Sequence, residues 1–148
     1  MTTDTNRTPG TAALRYQRLI ALATVLALGL IMLGAYVRLH DAGLGCPDWP
    51  GCYGKVLPSQ AHAEISAAVS QQGGELGPVS MAKAWREMGH RYVAIVLGIL
   101  IIAIAVQAWR LRDGLRQSPW LPTALLGTVI LQGLFGMWTV TLLLKPAI

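Results

Sequence analysis

Charge is what this 148-residue chain has least of: only 13% of its residues are Asp, Glu, Lys or Arg. A soluble domain carries about a quarter, because its surface must be solvated. With hydrophobic residues at 53%, much of the surface must face something other than water. Cysteine is scarce as well. Two are present, short of the four ligands of a thiolate zinc centre, and nothing obvious supplies the rest. Lys and Arg exceed Asp and Glu by 12 to 7, but the excess does not read as nucleic-acid binding. Six of the nine arginines stand in two short clusters beside apolar runs, where they act as topology signals. The length suits one small bundle.

Three stretches lack any charge: Leu19 to Val37 between Arg18 and Arg38, Tyr92 to Trp109 between Arg91 and Arg110, and Gln117 to Leu144 between Arg116 and Lys145. A helix rises 1.5 Å per residue, so about 20 apolar residues cross a hydrocarbon core of roughly 30 Å. In the third stretch Ser118-Pro119-Trp120-Leu121-Pro122 reads as the lead-in, which leaves Leu121 to Leu144 as the span. Buried helices of a soluble protein rarely run this long without a charge. The first run is too long for a signal-peptide core and lacks a small-x-small cleavage site, so it stays as a helix. The expectation is an all-α integral membrane bundle with spans at 19–37, 92–109 and 121–144.

Arginine placement orients it. Arg7, Arg15 and Arg18 precede the first span, and Arg110, Arg112 and Arg116 fill the short loop 110–120. Both segments are therefore expected in the cytoplasm, the tail 1–18 included. The loop 38–91 is then external, with Asp41, Asp48, Glu64, Glu75 and Glu87 offsetting its basic residues. Within it, Cys46-Pro47-Asp48-Trp49-Pro50-Gly51-Cys52 is turn-rich and brings the thiols back towards each other. On an oxidising side a disulfide is the natural reading. A structural staple, a redox-active pair and metal ligation all remain open. Leu57 to Ser70 is weakly amphipathic and suits a helix lying on the membrane surface or capping the bundle. Ser80 is a good N-cap for a helix that runs on into the second span.

That helix begins Trp85-Arg86-Glu87-Met88-Gly89-His90-Arg91-Tyr92. Glu87 and His90, three apart, share a face, at the depth where polar loop enters hydrocarbon. Ionisable groups there are costly and are usually paired or functional. A neutral imidazole at His90 can ligate a haem iron, and Glu87 can act on the same macrocycle as an acid–base group. Arg86 and Arg91 can pair with propionates through their planar forks. Arg38 is the one other charge placed to face such a site. The bland reading stands beside this: a carboxylate near a helix N-terminus is favoured by the dipole alone, and interfacial arginines snorkel. His40 and His62 read as solvated loop residues.

Four segments then occur in a familiar order: Leu33-Gly34-Ala35-Tyr36-Val37-Arg38-Leu39, Gly43-Leu44-Gly45-Cys46-Pro47-Asp48-Trp49-Pro50-Gly51-Cys52, Glu87-Met88-Gly89-His90-Arg91, and Gln132-Gly133-Leu134-Phe135-Gly136-Met137-Trp138-Thr139-Val140-Thr141. Together they resemble the N-terminal half of the haem A synthase family, the bacterial relatives of a mitochondrial cytochrome oxidase assembly factor. The resemblance implies an enzyme of eight membrane helices in two four-helix halves, each holding a haem near the external surface. The N-terminal half would take haem O as substrate and the other a haem b that passes electrons. A ring methyl of haem O would be oxidised stepwise to a formyl group, with water as the oxygen source. On this resemblance His90 is an axial ligand, Glu87 the catalytic carboxylate, and Cys46 and Cys52 the loop pair of many bacterial members. It implies a bacterial inner-membrane location, and haem O synthase and a complementary C-terminal half as partners. A fourth helix with a second histidine would follow Thr141, whereas this sequence stops at Lys145-Pro146-Ala147-Ile148. The expectation is three helices of a four-helix half-repeat, inactive alone.

Two rivals stand outside the resemblance. One is a membrane thiol–disulfide oxidoreductase using Cys46 and Cys52, although the spacing is not C-x-x-C. The other is a non-catalytic assembly subunit that packs through Gly98, Gly127, Gly133 and Gly136.

Overall fold

A computed structural model of the protein describes residues 10–115 and 117–142. Its elements are α1 (Thr11–Leu39), a 3-10 turn (Pro58–Ala61), α2 (His62–Gln71), α3 (Met81–Arg110) and α4 (Trp120–Thr141). No strand occurs among the described residues. The fold is all-α, and α1, α3 and α4 are each long and apolar enough to cross a membrane. Of the sequence expectations, residues 1–9 of the tail, Arg116, the end of the third span at 143–144, and 145–148 lie outside the described residues.

Each helix has a local cause. Arg15 and Arg18 are good helix formers, so α1 begins at Thr11, before the uncharged run; a charge marks the edge of hydrocarbon, not the end of a helix. Arg38 in the last turn of α1 complements the negative end of its dipole. Asp41, with φ at +47°, turns the chain out of the helix. At the start of α3 the Ser80 hydroxyl accepts from the Lys83 amide at 3.2 Å, as the cap reading expects. Pro119 and Pro122 bracket the first turn of α4, where a missing N–H costs nothing.

Helix α3 sits in the middle. It packs on α1 along one side and on α4 along the other, and the backbones of α1 and α4 do not approach closely among the described residues. Tyr16 and Ala23 of α1 bury against Leu97, Ile101, Ile104 and Ala108 of α3, and Leu126 and Val129 of α4 close on the same cluster. Trp109 donates through its indole N–H to the Thr123 hydroxyl at 3.0 Å, which ties the end of α3 to α4. Outward faces carry Val25, Leu28, Ile31, Ile130, Leu131 and Phe135, all exposed. So much continuous apolar surface needs a lipid cover. This is a membrane protein.

The 30 residues of α3 extend to about 45 Å, well over the roughly 30 Å of hydrocarbon. Its first turns therefore stand at the membrane edge. A second core forms there from Cys46, Cys52, Ala61, Ile65, Ala84 and Met88, with Tyr53, Val69 and Tyr92 packed around it. The short helix α2 thus caps α3 by burying Ile65 against it.

Candidate functional site

The site is built from two layers on the first turns of α3. One is the loop 42–56, which folds onto α3; the other is the end of α1.

The loop is closed by a Cys46–Cys52 disulfide whose Cα atoms lie 4.9 Å apart. Both cysteines have no exposed surface. The Cys52 amide donates to the Lys55 carbonyl at 2.9 Å and the Lys55 amide returns a bond at 3.1 Å. Asp48 accepts the Gly54 amide on one carboxylate oxygen at 2.7 Å and the Tyr53 amide on the other. Burial, and then the Asp48 charge, push the Tyr53 phenol above the usual tyrosine range. Gly45 presses on the first turn of α3 so closely that a Cβ there would stand 2.9 Å from Ala84 N and Lys83 C. Only glycine allows that approach.

Glu87 and Arg91 both lie beneath this loop, 5% and 8% exposed. One Glu87 oxygen accepts the Cys46 amide at 2.9 Å, and the other accepts from Arg91 Nη2 in an ion pair one turn along the helix. Arg91 Nη1 donates to the Asp48 and Gly51 carbonyls, each at 2.7 Å. Next to them the Tyr92 hydroxyl donates to the Val56 carbonyl.

Three residues on from Glu87, His90 meets α1 rather than the loop. Its ring packs on Gly34: a Cβ on that glycine would lie 3.1 Å from His90 Cε1 and 3.8 Å from Nε2. His90 Nδ1 is buried and has no hydrogen-bond partner among the described residues. A buried imidazole nitrogen without a partner is costly unless something else fills its need. Nearby, the Arg86 guanidinium lies over the Tyr36 ring, 5.8 Å from its centroid, and the His40 ring packs at a tilt against the same tyrosine, centroids 4.2 Å apart. Arg38 is exposed beside them in sequence. Among the described residues no three His, Cys, Asp or Glu side chains converge to hold a bare metal ion.

Comparison with known sequences bears directly on this arrangement. Residues 17–148 match the cytochrome oxidase assembly protein family, COX15-CtaA. The chain belongs to that family. It is 43% identical to a haem A synthase of Shewanella oneidensis over 88% of this chain and 38% of that protein. It is 30% identical to a haem A synthase of Lysinibacillus sphaericus over 82% of this chain and 34% of the relative. A haem A synthase of Halalkalibacterium halodurans is 28% identical over 76% and 33%. The chain thus spans about a third of the length of the relatives it matches. No solved structure matches it significantly.

In this member of the assembly family the seven residues singled out from sequence fall into three groups. Cys46, Cys52, Glu87 and Arg91 form one connected unit beneath the loop. His90 and Arg86 face the end of α1, and Arg38 stands exposed on it. His40 and His62 are exposed, as expected. The sequence reading gave Gly34 no role. A glycine one turn before Arg38, in an otherwise bulky apolar run, was the available signal for a close approach.

Proposed function

We propose that this chain is the substrate-haem portion of a haem A synthase, the activity named for its relatives. Haem O is the substrate, and a ring methyl of it is oxidised to a formyl group to give haem A for cytochrome oxidase. The observation that carries the reading is His90: an imidazole seated on bare glycine backbone, with a buried nitrogen lacking a partner, one turn from a buried carboxylate. Such a group fits the iron of a flat macrocycle better than it fits a lipid-facing helix. His90 would hold the iron, Glu87 would serve as the acid–base carboxylate, and Arg38 and Arg86 would pair with the propionates. Arg91 belongs to the same site, with its fork on Glu87 and the loop. A bound haem would supply the iron centre, and these side chains would hold it, orient it and move protons at its edge.

The same reading places the tail and loop 110–120 in the cytoplasm of a bacterial inner membrane, with the disulfide loop outside. Haem b and haem O synthase complete it as cofactor and partner. A thiol–disulfide oxidoreductase fits less well, because neither sulfur-bearing residue is exposed to an incoming thiolate.

The chain purified in detergent and supplied with haem is expected to show a reduced-minus-oxidised haem spectrum that His90→Ala abolishes. An unchanged spectrum in His90→Ala would remove the axial-ligand assignment.

A further inference from the structure

The buried ion pair on α3 turns towards the loop rather than the open side of the helix. Glu87 receives the Cys46 amide on one oxygen and Arg91 on the other. Arg91 reaches past it to the Asp48 and Gly51 carbonyls. The disulfide ring from Cys46 to Cys52 is therefore held at its first residue by Glu87 and through its middle by Arg91. A guanidinium can serve a carboxylate and two carbonyls together because its donors are fixed in a planar fork; an ammonium is a point charge without that reach. A buried carboxylate keeps its place only while its partners do.

We propose that Arg91 is a positioning residue: it fixes the Glu87 carboxylate against the disulfide loop, so the setting of Glu87 depends on that loop being closed. The proposal rests on reading Glu87 as the site carboxylate, and it assigns Arg91 a task at the protein's own backbone. Loop and carboxylate come apart together when Arg91 is removed.

The test uses the full chain in lipid nanodiscs. One readout is the rate at which dithiothreitol reduces Cys46–Cys52, followed by thiol alkylation. The other is the absorption band of added ferric haem b, with His90→Ala as control. Arg91→Gln and Glu87→Gln are each expected to speed reduction about tenfold or more, and the double variant no further, since the two side chains act as one unit. Arg91→Lys keeps the charge without the fork and is expected to speed reduction by a smaller factor. In the haem-loaded chain Arg91→Gln and Glu87→Gln are expected to move the band alike, whereas a purely structural arginine would change only how much haem is held. Additive effects in the double variant overturn the proposal. A wild-type reduction rate in Arg91→Lys overturns it too, and decides the matter where Arg91→Gln does not fold. Coupled reduction rates in a chain that takes no haem would remove the haem reading and leave the Arg91–Glu87 coupling standing. Haem held through His90 without coupling would do the reverse.

Discussion

The His90 ring lies on the backbone of Gly34, with Cε1 3.1 Å from where a Cβ on that glycine would stand. This contact joins the span of α1 to the polar turns of α3 and leaves little room for a larger side chain. Gly34→Val is therefore expected to displace the imidazole, costing about 1–3 kcal/mol as overpacking. Thermal unfolding in detergent reads the cost, and titration with haem reads the consequence. Haem retention should fall well below wild type even at temperatures where the variant is folded. Full retention would show that the seat of the ring on α1 does not matter to binding.

Gly45 makes the equivalent contact for the loop, against Lys83 C and Ala84 N. The atoms it meets are all backbone of α3, so Gly45→Ala has no flexible side chain to push away. The loop should lift from α3 at a cost of about 1–3 kcal/mol. Hydrogen exchange at the Cys46 amide, which Glu87 protects, is the sensitive readout. Faster exchange there, with exchange in the middle of α3 unchanged, is the expected pattern.

The spans were legible because they depend on composition alone: a long run without charge has one stable environment. The Ser80 cap was legible for a similar reason, since its bond reaches only to Lys83. The disulfide needed no more than two cysteines separated by turn residues. What stayed hidden were contacts across distance in the chain. Arg91 reads in sequence as a free fork for an anionic ligand, yet its donors meet carbonyls some forty residues away. Nothing local in Asp48 or Gly51 announces that partner. The same holds for Gly34 and His90, which belong to different helices, and for the separation of α1 from α4 by α3. Helix order in space follows from side-chain fit between faces of nearly uniform hydrophobicity, which residue types alone do not encode.

The loop also has a pH dependence of defined sign. Burial and the neighbouring Asp48 raise the Tyr53 phenol above its ordinary value, so the folded loop holds that proton more tightly than the unfolded chain does. Its contribution to stability is fully present below the unfolded value of about 10 and is lost as the pH rises through the folded value. Local opening of the loop, followed by hydrogen exchange at Gly54, should increase over that alkaline range. Tyr53→Phe should remove this part of the increase. If the variant opens with the same pH dependence as wild type, another group is responsible.

Orientation is the prediction with the widest consequences, because the site is useful to an external or a cytoplasmic chemistry accordingly. Loop 110–120 is short, so its arginines weigh more than the mixed charges of the long loop. Its one described acidic residue, Asp113, meets Arg112 at 3.7 Å with both side chains exposed. Such a surface pair changes little, so the loop stays net positive. Single cysteines placed at Glu75 and Asp113, in a chain with Cys46 and Cys52 replaced by serine, separate the two arrangements. In intact cells a membrane-impermeant maleimide should label Glu75→Cys and leave Asp113→Cys untouched until the membrane is opened. The opposite pattern would turn the molecule over, placing the disulfide loop in a reducing compartment where Cys46 and Cys52 would not persist as a pair. Labelling at Glu75 alone would put the His90 side of α3 at the outer membrane surface, where a membrane-borne haem would have to be met.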